Sequence, residues 1–349
     1  EALRALSLRP DREVRDFFLR ALKDEDARVR MSAAEAIGHL GAANSEILQA
    51  LREALKDQNA SVRMSAAESL GHLEATDEQT IQALREAMKD EDAGVRMKAA
   101  ETLGHLGSAD PETLRALRAA LKDEDALVRV SAAEALGRLG AADPETIQVL
   151  SEAIRDEDVM VRWEAAFVLR VLGVANDQTI QALREALKDE EASVQVNVAW
   201  ALVALGAADE QTLQILQKAI KGESAKMRVS GAEALWLLGV ADEDTLRALL
   251  EALKDKDVPV RARAVGALGL LGVGSEEVFR ALREAIKDEE AWVRGGAAWA
   301  LGQLGAADPE TIQVLREALK DEDARVRDMA FSALWEISER AGVWIEPEG

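Results

Sequence analysis

The chain repeats itself every 33 residues. Lys23, Lys56, Lys89, Lys122, Arg155, Lys188, Lys221, Lys254, Lys287 and Lys320 stand at that interval, each but Lys221 followed by Asp. A fixed period of this length marks stacked supersecondary units, because a unit so short cannot bury its apolar face alone and must lean on the next one. The core then grows by addition. Residues 1–349 therefore read as one continuous array of about ten units, although length alone would allow two or three globular domains.

One unit shows how each is built. At residues 110–140, Asp110 is placed to accept hydrogen bonds from a helix start, Pro111 suits the first helical position, and Glu112 meets the positive end of the dipole. Leu114, Leu117, Ala120 and Leu121 follow at helical spacing, then the polar turn Lys122-Asp123-Glu124-Asp125. Asp125 caps a second helix with core positions Val128, Ala132, Ala135, Leu136 and Leu139, and Gly140 supplies a left-handed stop. The composition agrees: 48% hydrophobic, 31% charged and only 3% aromatic, with Ala and Leu dominant. The expected fold is an all-α solenoid of about ten two-helix repeats with a curved concave face. Residues 1–10 read as a truncated second helix covering the first unit, with Pro10 and Asp11 opening the next helix, and 338–349, carrying Trp344 and Pro347, as a C-terminal cap.

Charge and composition exclude several functions. A formal net charge of -22 opposes nucleic-acid binding, which draws its affinity from Lys and Arg neutralising phosphates. No apolar run approaches the roughly 20 residues of a membrane span, and no basic-plus-apolar leader is visible, so the expected location is the cytoplasm. There is no Cys, hence neither disulfide nor thiol chemistry, and the three His all precede residue 106. His39, His72 and His105 hold one repeat position in adjacent units; about two helix layers should separate them, so duplication explains them better than metal binding. No nucleophile arrangement and no cofactor motif is present, and the chain reads as non-enzymatic. It opens on Glu1 rather than Met, as a piece of a longer protein would.

The phrases Val-Arg-x-x-Ala-Ala-x-Ala-Leu-Gly-x-Leu-Gly at 128–140 and Asp-Pro-Glu-Thr-Ile-Gln at 143–148 resemble HEAT-like repeats of the phycobilin-lyase type. The chain looks most like the near-identical arrays C-terminal to bacterial NACHT/STAND nucleotide-binding proteins. That resemblance implies a partner surface on the concave side, lined by the second helix of each pair, and a nucleotide-binding domain elsewhere in the parent protein. No Gly-x-x-x-x-Gly-Lys-Ser/Thr occurs in this chain.

Comparison of the units with one another locates a candidate site. A second-helix stripe opposite the Val29, Ala33, Leu40 core positions is predicted to face outward. It reads Met31, Glu35, Gly38 in the first unit, keeps that form twice, becomes Val130, Glu134, Gly137, and then changes to Trp163, Phe167, Arg170; Val196, Trp200, Val203; Val229, Glu233, Trp236; Ala262, Gly266, Gly269; Gly295, Trp299, Gly302. Large aromatics beside glycines predict a recognition patch for a protein or an apolar, aromatic ligand. Its residues are Trp163, Glu164, Phe167, Arg170, Asn197, Trp200, Glu233, Trp236, Arg263, Gly266, Trp292, Gly295 and Trp299. The competing readings are tryptophans that merely pack on one another between units, a chromophore or small-molecule handler of the lyase type, and a passive or engineered scaffold.

A further regularity lies in the turns. Asp24 and Arg30, Asp57 and Arg63, Asp90 and Arg96, Asp123 and Arg129 stand six apart and predict pairing between successive units. Gln195 and Gly222 interrupt the series, and the expectation is that Asp189 and Arg228, which lose their in-unit partners, pair with each other, the alternative being a soft joint at this place.

Overall fold

The computed structural model describes residues 12–41, 44–239 and 242–342. Among them every regular element is an α-helix, and the helices come in pairs. The first unit holds α1 (Arg12–Ala21) with α2 (Ala27–Leu40), α3 (Ser45–Ala54) with α4 (Ala60–His72), α5 (Glu78–Ala87) with α6 (Ala93–His105), α7 (Pro111–Ala120) with α8 (Ala126–Arg138), α9 (Pro144–Ala153) with α10 (Val159–Leu172), and α11 (Asp177–Ala186). The second compact unit begins at Leu187 and holds α12 (Ala192–Ala204), α13 (Glu210–Ala219) with α14 (Ala225–Leu237), α15 (Glu243–Ala252) with α16 (Val258–Leu271), α17 (Glu276–Ala285) with α18 (Ala291–Gln303), and α19 (Pro309–Ala318) with α20 (Ala324–Ala341). Residues 1–10, Asp11 and the 343–349 part of the tail, to which the capping expectations apply, lie outside the described residues.

Local chemistry places the helix ends where the sequence puts them. The Asp110 carboxylate accepts from the Glu112 and Thr113 amides at 3.0 Å, that of Asp125 from Leu127 at 2.9 Å, and Gly140 turns out of α8 at φ 61°. Each pair buries one apolar set at a 33-residue interval. Leu51, Leu84, Leu117 and Leu150 of the first helices are fully buried, as are Ala66, Leu70, Ala99 and Leu103 of the second helices. A fully buried Leu contributes about 1.5–3 kcal/mol, so no single unit outweighs its ordering cost and the stack is the folding entity. Val29 and Leu40 depart from the predicted core, at 39% and 50% exposure. The corresponding valine of α20, Val326, packs about 3.8 Å from the Gly295 position on the preceding second helix, and α2 has no preceding second helix among the described residues.

Three devices fasten one repeat to the next. In the first, an arginine near the start of each second helix donates to two carbonyls of its own turn and to the aspartate 27 residues on. Arg96 reaches the Asp90 carbonyl at 2.9 Å and the Asp123 carboxylate at 2.7 and 2.8 Å; Arg30, Arg63 and Arg129 repeat this with Asp57, Asp90 and Asp156. The pairing predicted between successive units is thus present: the aspartate six residues back contributes its carbonyl, and the carboxylate comes from the next unit. Burial alone would raise the pKa of Asp123, but the hydrogen bonds from Arg96 and the Asp125 amide, together with the charges of Arg96 and Arg129, outweigh it and hold the carboxyl below its ordinary value.

The second device joins first helices: Arg118 donates at 2.9 Å to Asp143, the cap of the following first helix, which also accepts from the buried Thr146 hydroxyl at 2.6 Å. Arg52, Asp77 and Thr80, and in the second unit Arg283, Asp308 and Thr311, form the same trio. The third device is steric. A Cβ added to Gly104 would stand 2.8 Å from Ala135 of the next second helix, and one added to Gly302 would stand 2.7 Å from the Ala333 Cα. These glycines are notches that let neighbouring second helices nest. The outward stripe is therefore corrected at its third position in these repeats, where Gly38, Gly104 and Gly302 are buried between helices.

Candidate functional site

In the first unit, α10 carries the change of stripe. Trp163 and Phe167, four residues apart on one helix face, are both half-buried, and their rings stack at 5.5 Å with planes 10° apart. The Arg170 guanidinium lies 4.8 Å from the Phe167 centroid, completing an aromatic and cationic layer. Glu164 points off that layer and is half-buried. Burial pushes its carboxyl up to about 7, the neighbouring Glu134 adds to the effect, and Arg138 opposes it. Arg138 is already engaged by Glu134 at 2.5 Å, which limits what it does for Glu164. Four predicted residues are thus brought together here.

The second unit spreads its predicted residues over several helices. On α12, Asn197 is buried and Trp200 half-buried. Glu233 of α14, half-buried, lies 3.9 Å from the exposed Arg263 of α16. The Trp236 side chain lies outside the described residues. Gly266 faces open space, since a Cβ there would meet nothing within 4 Å. Gly295 does not: it is buried, and a Cβ would touch Met329 and Val326 at 3.7 and 3.8 Å. Trp299 is half-buried, its ring so close to Gly269 that a Cβ on the glycine would stand 2.7 Å from Cζ3. Gly269 and Gly295 therefore serve helix packing, and the predicted glycine floor reduces to Gly266. Trp292 is 68% exposed at the start of α18, where the Arg325 guanidinium stacks 4.7 Å from its ring, apart from the other predicted residues.

Sequence reading passed over a cleft of about 320 Å³ between the second helices α4, α6 and α8, lined by Glu68, His72, Lys98, Glu101, His105 and Arg138 among others. Lys98 bridges Glu101 at 2.7 Å and Glu68 at 3.8 Å across it. The signal was Lys98 itself, at a position that reads Ser32, Ser65 and Ser131 in neighbouring units. His39 and His72 stack at 5.5 Å, closer than the two helix layers expected, because the second helices are nested at Gly38. Among the described residues no group of three or more His, Asp or Glu has metal-holding geometry, and no helix is long and apolar enough to cross a membrane.

The expectation that Asp189 and Arg228 pair is overturned. Arg228 donates to the Gly222 and Glu223 carbonyls of its own turn at 3.1 and 2.8 Å and approaches Glu251 at 3.8 Å. Its carboxylate contact lies forward along the stack, the direction in which Arg96 and Arg261 also reach their carboxylates.

Comparison with known proteins agrees with this architecture. The chain is similar in fold to the CpcE–CpcF complex of phycocyanin lyase from Nostoc sp. PCC7120 (TM-score 0.50, 22% identity, 74% of this chain and 97% of that chain). It is also similar to Kap121p (TM-score 0.48, 18% identity, 97% of this chain and 43% of that one) and to an engineered protein (TM-score 0.41, 20% identity, 92% and 98%). At these identities the likeness concerns fold alone. No curated protein matches the chain. HEAT repeats match residues 1–71, 48–117, 89–170, 147–236 and 246–335, which together span nearly all of it, and the chain belongs to the HEAT-repeat family.

Proposed function

We propose that this chain is a non-catalytic recognition module that binds a protein partner through the faces of its second helices. The observation that carries the reading is the Trp163–Phe167 stack, held half-exposed on α10 beneath Arg170 where the preceding units carry Met or Val and Glu. Aromatic and arginine side chains concentrate binding energy at protein interfaces because they present a large rigid apolar area with a polar edge. Glu164 beside the layer supplies a carboxyl whose ionisation a cationic partner group would favour. In the second unit, Trp200, the Glu233–Arg263 pair and the open Gly266 position form the corresponding set. An attached nucleotide-binding domain in the parent protein belongs to the same reading and rests on the resemblance of the repeats, while a cytoplasmic location is proposed from the shortness of the apolar runs.

The test is a paired loss. The immobilised full chain and its Trp163→Ala/Phe167→Ala variant are used to capture proteins from source-cell lysate, with quantitation by mass spectrometry. The expected result is a protein retained by the parent and lost at least tenfold on the variant, about 1.4 kcal/mol or more of binding free energy, while thermal midpoints stay within a few degrees. Identical capture by both chains refutes the reading. So does collapse of the variant's stability, which assigns the two rings to packing. Trp299→Ala is the contrasting case, because that ring sits on Gly269 and its loss leaves a cavity.

A further inference from the structure

The fastenings between repeats are not uniform along the second unit. From α16 onward all three are present. Arg261 bonds Asp288 at 2.8 and 3.0 Å, Arg294 bonds Asp321 at 2.7 and 2.9 Å, and Arg283 joins Asp308 and Thr311. Gly269 and Gly302 let the next helix nest.

From α12 to α16 each device lapses. Residue 195 is Gln, and the position 27 residues on, which would receive its charge, is Gly222. The two departures are opposite ends of one missing rung. Arg228 and Asp255 occupy the next rung, but no bond joins them: Arg228 stays with its own turn and near Glu251, while Asp255 holds the Asp257 amide at 2.8 Å. The bonds between first helices fail in the same stretch. Gln217 stands in the arginine position opposite Asp242, and Leu250 stands opposite Ser275, so neither has the ionic pair. Val203 and Trp236 replace the notch glycine. Gly231 lies inside α14 where most repeats have alanine.

We propose that the repeats of α12 to α16 form a bending joint within the second unit, held by apolar contact and by one-point ion pairs such as Lys221–Asp244, Lys226–Asp257 and Glu233–Arg263 in place of the register-fixing bonds, and able to open and re-seat while the repeats of α16 to α20 move as one block. The physical reason is directional. Apolar burial is nearly indifferent to a small sliding of one helix over another, whereas a bidentate arginine–carboxylate pair and a glycine notch each specify a single register. Removing the two-point pairs and the notches leaves apolar contact and one-point ion pairs of exposed Lys and Arg side chains, which tolerate a range of angles. Trp200 and Glu233 lie on the helices of this joint, so a partner engaging them would select among its angles. The joint itself does not depend on that partner.

The experiment is amide hydrogen exchange on the full chain, followed by restoration of the missing rung with Gln195→Arg and Gly222→Asp. Aspartate at 222 follows the geometry of the other turns, since the Gly222 amide bonds the Ala219 carbonyl at 3.1 Å as Asp57 bonds Ala54 in the first unit, and its Cβ would stand 3.2 Å from the Ala219 carbonyl oxygen, a contact relieved by a shift of a few tenths of an ångström. The expected result in the parent chain is exchange in α12 and α14 about tenfold or more faster than in α16 and α18, the mark of local opening in a low-stability segment. The double variant slows exchange in α12 and α14 by about tenfold beyond the product of the two single variants and leaves α18 unchanged. Uniform protection from α12 to α18 in the parent chain overturns the proposal without recourse to any variant. A double variant whose effect equals the product of the singles overturns the part played by the missing rung.

Discussion

Two glycine-to-alanine substitutions, made on neighbouring second helices of the same unit, should move stability in opposite directions. Gly266 on α16 faces open space, so alanine there meets nothing within 4 Å. Only the backbone effect remains, and Gly266→Ala should stabilise the chain by about 0.5–1 kcal/mol. Gly302 on α18 is a notch, where the new Cβ would stand 2.7 Å from the Ala333 Cα and 2.9 Å from its Cβ. Carbon atoms pack at about 3.5–4.0 Å, so α20 must withdraw by roughly 1 Å, and the obstructing atoms belong to backbone that has no rotamer to change. Overpacking of this kind costs about 1–3 kcal/mol. It exceeds the propensity gain, which leaves Gly302→Ala destabilised by about 1 kcal/mol. The measurement is urea unfolding followed by circular dichroism on both variants and the parent, with midpoints compared only where the slopes agree. Equal stabilisation by the two substitutions would refute the notch account. A recognition role for Gly266 adds a separate outcome: its alanine variant should be more stable yet bind the partner less well.

Glu164 should make stability depend on pH. Its folded pKa, about 7, lies above the ordinary carboxyl value of 4.5, so the native chain holds a proton the unfolded chain gives up. Stability is then fully present below about pH 4.5 and falls as pH rises toward 7; thermal midpoints at several pH values should show this slope flatten in Glu164→Gln, and an unchanged slope would count against it. The Thr179 hydroxyl is buried without a hydrogen-bond partner, whereas that of Thr146 bonds Asp143 at 2.6 Å. Thr179→Val should be neutral or stabilising, and Thr146→Val should cost about 1 kcal/mol, both read from unfolding midpoints. Arg294→Lys keeps the charge but loses the two-point bond to Asp321; a loss of about 1 kcal/mol is expected, and a loss within error would make that rung a passive ion pair.

Much of the scaffold was legible in the primary structure because its causes are local. Asp110, Pro111, Asp125 and Gly140 act within a few residues of themselves, through hydrogen bonds to adjacent amides and a left-handed turn, so caps and helix limits follow from the residues alone. The site was less legible. Trp163 and Phe167 were found by their departure from the repeat and do meet, but whether a stripe position is surface or seam depends on the neighbouring helix. That is why Gly295 and Gly269 were taken for a floor when α20 and Trp299 lie against them. Glu164 drew notice as a polar neighbour; its raised pKa arises from burial and from Glu134 on another helix.

The period, the helix pairs, their caps and the apolar positions were determined by the sequence itself, since each rests on contacts within one turn of helix or on burial that any stacking of the units would require. The registers of 27, 25 and 31 residues were decided by tertiary structure alone. They record how far an arginine reaches into the next turn and where one helix backbone settles into its neighbour, and neither follows from local periodicity. Their trace in the sequence is paired loss: Gln195 with Gly222, Leu250 with Ser275, Ser151 with Asn176. Each pair looks like two unrelated substitutions until the fold places them opposite one another.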